Sequence, residues 1–160
     1  MAKQNDGSFS SPGSIRQSLA VKYCRSGDQR RLEILLNLGP KLNAIRDNEG
    51  STLLTIAAQN RHIEIAKDLI RRGAEVNSAN RRGYTPLSYA TYNGDVFMTL
   101  LLIQCGADTE ANLGGGLTAY LLARMFHQER VATILLASGA DPNAKTDQGD
   151  TATTLAHLMD

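Results

Sequence analysis

Few residues in this sequence have side chains suited to chemistry, and their spacing argues against most of the chemistry they could do. The three histidines, His62, His127 and His157, are the first candidates for a metal site. Helical and finger-type sites bring their ligands within about two to five residues of one another, and no pair of these histidines has such a spacing. Cys24 and Cys105 are too few for a disulfide framework, and an unbridged pair fits a reducing interior. Gly114-Gly115-Gly116 has the composition of a phosphate-cradling loop, but no Lys-Ser or Lys-Thr follows it. It reads as a divergent turn, with a flexible finger that adapts to a partner as the alternative. The arginine pairs at 30–31, 71–72 and 81–82 invite a nucleic-acid reading, yet the net charge is only +1. No catalytic set, metal site or cofactor site emerges.

The elements that would position these residues come from a chain of ordinary globular composition, 42% hydrophobic and 21% charged over 160 residues, which predicts one folded domain. Its charge is unevenly placed. Through Arg82 there are fourteen Lys or Arg against eight Asp or Glu, and from Gly83 onward three against eight, giving +6 and −5. No secretory signal follows Met1, and no apolar run is long enough to span a membrane. An intracellular, cytoplasmic protein with no membrane partner is expected, or a nuclear one if the source is eukaryotic.

A fixed period organises the chain. Gly50, Gly83, Gly116 and Gly149 are thirty-three residues apart, and Thr52, Thr85, Thr118 and Thr151 keep the same register. So do Ala57, Ala90, Ala123 and Ala156, while Gly39, Gly73, Gly106 and Gly139 form a fourth ladder with one extra residue near 45–46. Within a period, Thr85-Pro86-Leu87 opens a helix with a threonine cap and proline at the first helical position. Asn93-Gly94 breaks it, residues 96–103 are apolar at helical spacing, and Gly106 stops the second helix. Helices this short are marginal alone, so stacking must stabilise them. The expected core is Leu54, Leu87 and Ala90 from first helices and Ile65, Leu69, Leu101, Leu102, Leu135 and Leu136 from second helices.

Gly83-Tyr84-Thr85-Pro86-Leu87-Ser88-Tyr89-Ala90, followed by Gly106-Ala107-Asp108, closely resembles the ankyrin repeat, as does the stretch from Leu135 through Gly139-Ala140-Asp141-Pro142-Asn143. The resemblance implies an all-α solenoid of helix-turn-helix units joined by β-hairpin-like turns. The expected units are 14–43, 44–77, 78–110, 111–143 and a half-repeat at 144–160, after a flexible tail at 1–13. The half-repeat would leave Leu155, Leu158 and Met159 uncovered, so that this end frays, dimerises or is covered. Departures from the family pattern are Thr55 and Ser88 for the histidine after Thr-Pro-Leu, and Ala119 for the proline. Arg61 and His127 stand for the interhelical glycine kept at Gly27 and Gly94. If their φ stays positive, each costs on the order of 1–2 kcal/mol; the alternative is a relaxed loop. His62 falls where the family commonly carries a structural histidine. Cys24 and Cys105, two repeats apart, would be packing thiols beyond disulfide reach. Some members are hydroxylated at an asparagine eight residues after a leucine, a spacing matched by Leu35 and Asn43, Leu69 and Asn77, and Leu135 and Asn143; the alternative is that these asparagines bridge turns.

By the same resemblance, a concave face would hold Arg46, Asn48, Glu49, Ser51, Gln59 and Asn60, then Arg81, Arg82, Tyr84, Tyr92 and Asn93, then Leu117, Met125 and Phe126, and last Asp147, Gln148 and Asp150. The expected partner-binding residues are Arg81, Arg82, Tyr84, Tyr92, Asn93, Leu117, Met125 and Phe126, with Tyr84 and Tyr92 facing Leu117 and Met125 one repeat along. The implied function is a protein–protein interaction scaffold, in some settings an inhibitor, and not an enzyme. It has no cofactor, metal or small-molecule substrate. Alternatives are an accessory targeting domain of a larger enzyme or effector and, more weakly, nucleic-acid binding through the basic half.

Overall fold

The computed structural model describes residues 12–39, 41 and 44–157. Of the expected tail at 1–13, residues 1–11 lie outside them, as do Asn43, Leu158 and Met159, while residues 12 and 13 are helical. The described residues form helices α1 (Pro12–Ser26), α2 (Gln29–Asn37), α3 (Leu53–Gln59), α4 (Ile63–Arg71), α5 (Pro86–Tyr92), α6 (Val96–Gln104), α7 (Ala119–Met125), α8 (Glu129–Ala137) and α9 (Ala152–His157). Odd-numbered helices are the first helices of successive repeats and pack in one row, α1 on α3, α3 on α5, α5 on α7 and α7 on α9. Behind them α6 packs between α4 and α8.

Each first helix starts where the threonine ladder places it. Thr52, Thr85 and Thr118 have extended backbones, and their hydroxyls accept from the amides of Thr55, Ser88 and Leu121, satisfying donors the helix cannot. Second helices end in a left-handed glycine at Gly73, Gly106 and Gly139. The next amide reaches back in each, Ala74 to Leu69 O, Ala107 to Leu102 O and Ala140 to Leu135 O, at 3.0, 2.9 and 3.0 Å. That six-to-one bond is the Schellman closure.

Leu54, Leu87, Ala90, Ile65, Leu69, Leu102 and Leu135 are buried as expected, joined by Met98, Leu121 and Val131. Leu101 only flanks this core. Leu136 is not core; it sits on the outward side of α8, 38% exposed. Leu155 is not uncovered either, because α9 packs on α7 and buries it. Cys24 is buried as expected, but Cys105, just past the end of α6, is exposed and so is not a packing thiol.

Arg61 and His127 keep the left-handed backbone, with φ of 61° and 53°, so the strained conformation holds at both. The glycines kept at the equivalent position of the first and third repeats, Gly27 and Gly94, lie beneath the following repeat. A Cβ on Gly27 would stand 2.8 Å from His62 Cε1, and one on Gly94 2.1 Å from Gln128 Oε1. His62 and Gln128 use that room to bond back across the repeat boundary, to the carbonyls of Arg25 at 3.2 Å and Tyr92 at 3.3 Å. His62 is therefore a structural histidine. Where the family histidine is missing, the Thr52 and Thr55 hydroxyls bond each other at 2.9 Å, and Ser88 Oγ donates to Thr85 O at 2.8 Å.

Candidate partner-binding face

Four hairpin turns, the second to the fifth by the repeat each opens, precede α3, α5, α7 and α9, and each is closed by the same backbone bond. The amides of Asp47, Asn80, Leu113 and Thr146 donate to the carbonyls of Ser51, Tyr84, Leu117 and Asp150 at 2.8–3.0 Å. A side-chain oxygen braces three of the turns from its first residue. Asp47 Oδ1 accepts from Glu49 and Ser51, Asn80 Oδ1 from Arg82 and Tyr84, and Thr146 Oγ1 from Asp150. In the fourth repeat Leu113 takes that place and is buried, so Asn112 braces instead, accepting from Gly114 at 2.8 Å and Gly116 at 3.2 Å. The triple glycine is thus a turn held by hydrogen bonds. Adjacent hairpins are linked by Arg81 N to Glu49 O at 3.0 Å and Asp147 N to Gly115 O at 2.9 Å. Between the third and fourth hairpins the equivalent amide, Gly114 N, is spent on Asn112.

Beside that boundary lies a groove of about 330 Å³ lined by Glu49, Gln59, Arg82, Tyr84, Ser88, Tyr89, Tyr92, Leu122 and Phe126. Two edge-to-face aromatic pairs form its walls: Tyr84 with Tyr89, centroids 5.7 Å apart, and Tyr92 with Phe126 at 4.7 Å. Tyr92 is 51% exposed. Burial raises the Tyr89 phenol above its ordinary pKa, although the hydrogen bond from Asn80 opposes this. Arg82 Nη2 stands 3.7 Å from Glu49 Oε1 at the rim, both side chains at least half exposed.

The sequence-predicted residues divide here. Arg82, Tyr84, Tyr92 and Phe126 come together in the groove. Arg81 is exposed on the hairpin, its guanidinium donating to Asn48 O at 2.8 Å. Asn93 is a stitch between repeats, its amide donating to the carbonyls of Ala58 and Gln59 and its carbonyl accepting from Arg61. Leu117 and Met125 do not face Tyr84 and Tyr92 across the groove; they are half-buried and pack against the core. Ser51 is buried, with its hydroxyl taken by Asn80. Sequence reasoning missed Tyr89 and Leu122, which are thirty-three residues apart and occupy one repeat position. Both stand three residues before a predicted groove position, and that helical spacing was the available signal.

Phe126 shows why the groove forms here. Its equivalents Asn60 and Asn93 spend their amides on first-helix carbonyls, whereas phenylalanine has no such donor and lays its ring on Tyr92. A second recess of about 730 Å³ continues from the groove across repeats one and two, sharing Glu49 and Gln59 and adding Arg25, Arg46, Asp47 and Asn48. Asn77 bridges to the next repeat, its amide donating to Gly106 O and accepting from Asp108 N. Among the described residues no group of three or more His, Cys, Asp or Glu could hold a metal ion, and no helix is long and apolar enough to cross a membrane.

Comparison with known proteins agrees with this geometry. The sequence model for ankyrin repeats, which spans three copies, matches residues 13–80 and 69–146. A stretch of 53 residues is 40% identical to human ankyrin repeat domain-containing protein 29, covering 33% of this chain and 18% of that protein. The chain thus matches under a fifth of that relative's length. Repeats of this kind are in general protein–protein interaction modules and typically non-catalytic. From the threonine-capped first helices, the glycine-closed second helices and the matched repeats together, the chain belongs to the ankyrin repeat family.

Proposed function

We propose that this chain is an intracellular binding scaffold, without catalysis of its own, that takes a partner protein into the groove at the junction of its third and fourth repeats. The observation that carries this reading is the convergence of Tyr84, Tyr89, Tyr92 and Phe126 on one recess with Arg82 and Glu49 at its rim. A soluble domain ordinarily buries such rings, each able to cover about 150–250 Å², and a contiguous apolar patch with a charged rim marks an interaction site. Tyrosine and arginine also dominate hot spots. Where the docked segment belongs to an active surface of the partner, occupancy of the groove inhibits it.

The test is affinity capture with quantitative mass spectrometry, followed by titration of the captured partner. Alanine at Tyr84, Tyr92 or Phe126 is expected to weaken that partner by about 2 kcal/mol each. The folding cost at Tyr92 is limited to the lost edge contact, about 1 kcal/mol. Phe97→Ala, on α6 and 75% exposed, serves as the control on the opposite side of the hairpin. If Phe97→Ala releases the partner and Tyr92→Ala does not, the recognition surface lies on the second helices and the reading is wrong.

A further inference from the structure

The groove is bordered by an excess of positive charge that is fixed in place, and this specifies the chemistry of what docks. Four arginines, Arg25, Arg46, Arg81 and Arg82, face the contiguous recesses of repeats one to three, against two carboxylates, Asp47 and Glu49. Asp47 is spent: Oδ2 holds Arg25 at 2.9 Å, Oδ1 braces its own turn, and its side chain is 8% exposed. Glu49 has Arg82 beside it. Arg46 and Arg81 are held instead by neutral groups, Arg46 Nη1 by Gly50 O and Arg81 Nη1 by Asn48 O, both at 2.8 Å. Both are exposed and line one cleft of about 310 Å³ with Asp47, Gly50, Ala79 and Asn80. A guanidinium has five donors in a rigid fork, so a carbonyl on one donor orients the group and leaves most of the others for a ligand.

Resting on the proposed function above, we infer that the segment seated in the groove is acidic on the side that lies over the second and third hairpins, with carboxylates on Arg46 and Arg81 and an aromatic or large aliphatic side chain between the paired rings. Guanidinium and carboxylate meet in bidentate, charge-assisted bonds, and a segment with that charge neutralises the excess left by the protein's own ion pairs. A cationic side chain would also suit aromatic walls. Here it would compete with Arg82 for Glu49 and meet Arg46 and Arg81 on approach. The fourth hairpin presents no side chain at Gly114 and Gly115, and a Cβ at either would find nothing within 4 Å. That side of the groove is low, so an extended chain can pass over it.

The experiment is selection of a random dodecapeptide display library on the full chain, with selected peptides then measured by fluorescence polarisation. Aromatic or large aliphatic residues flanked on one side by Asp or Glu are expected to be enriched. The double variant Arg46→Glu, Arg81→Glu should weaken those peptides about tenfold or more and should itself select Lys or Arg in their place. The pair Arg46→Lys, Arg81→Lys keeps the charge without the fork and should retain the acidic preference, which separates charge from any loss of hairpin order. Enrichment of apolar residues with no acidic bias, a basic bias, or selections unchanged by the charge reversal would overturn the inference while leaving the groove reading intact. Peptides whose binding is indifferent to Tyr92→Ala and Phe126→Ala would overturn the groove reading itself.

Discussion

Thr91 and Thr99 are fully buried, and among the described residues their hydroxyls have no hydrogen-bond partner. One repeat earlier the same positions are Ala58 and Ala66, and one repeat after Thr99 comes Ala132, all buried and all without a polar atom. A buried hydroxyl without a partner carries its desolvation cost uncompensated. Thr99→Val, which keeps the shape, is therefore expected to raise stability by about 1 kcal/mol, read as a higher urea midpoint at unchanged slope. A lower midpoint would show that the hydroxyl is bonded in solution. Cys24 lies on the same scale. Burial pushes its thiol up to about 12 from an ordinary 9.0, against a small opposing pull from Arg25, and Sγ donates to Leu53 O at 3.2 Å. The folded chain holds that proton where the unfolded chain releases it, so the contribution is full below about pH 9 and is lost as pH rises toward about 12. Stability should fall over that window and fall less in Cys24→Ala. A thiol reagent at neutral pH should label exposed Cys105 in the native protein and Cys24 only on unfolding; equal rates would contradict this burial.

At the scale of elements, the hairpins join one repeat to the next, and their glycines are not equivalent. A Cβ on Gly116 would stand 2.7 Å from Asp147 N and from its Oδ1, at a φ of +75°. Gly115, at φ +63°, has open space around it. Gly116→Ala should cost roughly 2–3 kcal/mol, the left-handed penalty plus the displaced Asp147 N to Gly115 O bond. Gly115→Ala should cost about 1 kcal/mol. Equal losses in thermal melts would mean that the hairpin slides without resistance. This contrast also shows what was legible in the sequence. Threonine caps and left-handed glycines are demanded by their own backbone, so the repeat, its helices and most of its core could be read directly from the ladders. The groove could not, because whether a residue at the end of a first helix faces outward depends on its counterpart one repeat along. Tyr92 gains an aromatic neighbour only because Phe126 stands where Asn60 and Asn93 serve as stitches. Leu117 and Met125 looked equivalent to Tyr84 and Tyr92 in register, but the core beneath them takes their side chains.

Over the whole molecule, the charge asymmetry survives folding. Ion pairs in the basic half, such as Lys67 with Glu64, Arg72 with Asp68, and Arg82 with Glu49, each match one cation to one anion and leave the excess in place. In the acidic half, Arg124 is paired with Glu129, while Asp108, Glu110, Asp141 and Asp147 remain on exposed turns. The repeats stack in sequence order, so +6 through Arg82 and −5 beyond it become the two ends of an elongated dipole. Individual surface pairs contribute little to stability, but a summed field acts on a partner before contact and orients it. An approaching segment with acidic and basic ends would be turned so that its acidic end meets the arginines of the second and third hairpins. Steering of this kind resides in the encounter, so it appears in association and not in dissociation. Since the Debye length is about 30 Å at 0.01 M salt and about 8 Å at 0.15 M, the association rate with the captured partner should drop several-fold over that range. The dissociation rate should stay nearly constant. An association rate flat across that range, measured by stopped-flow or surface plasmon resonance, would show that the dipole is solvated surface with no part in recognition.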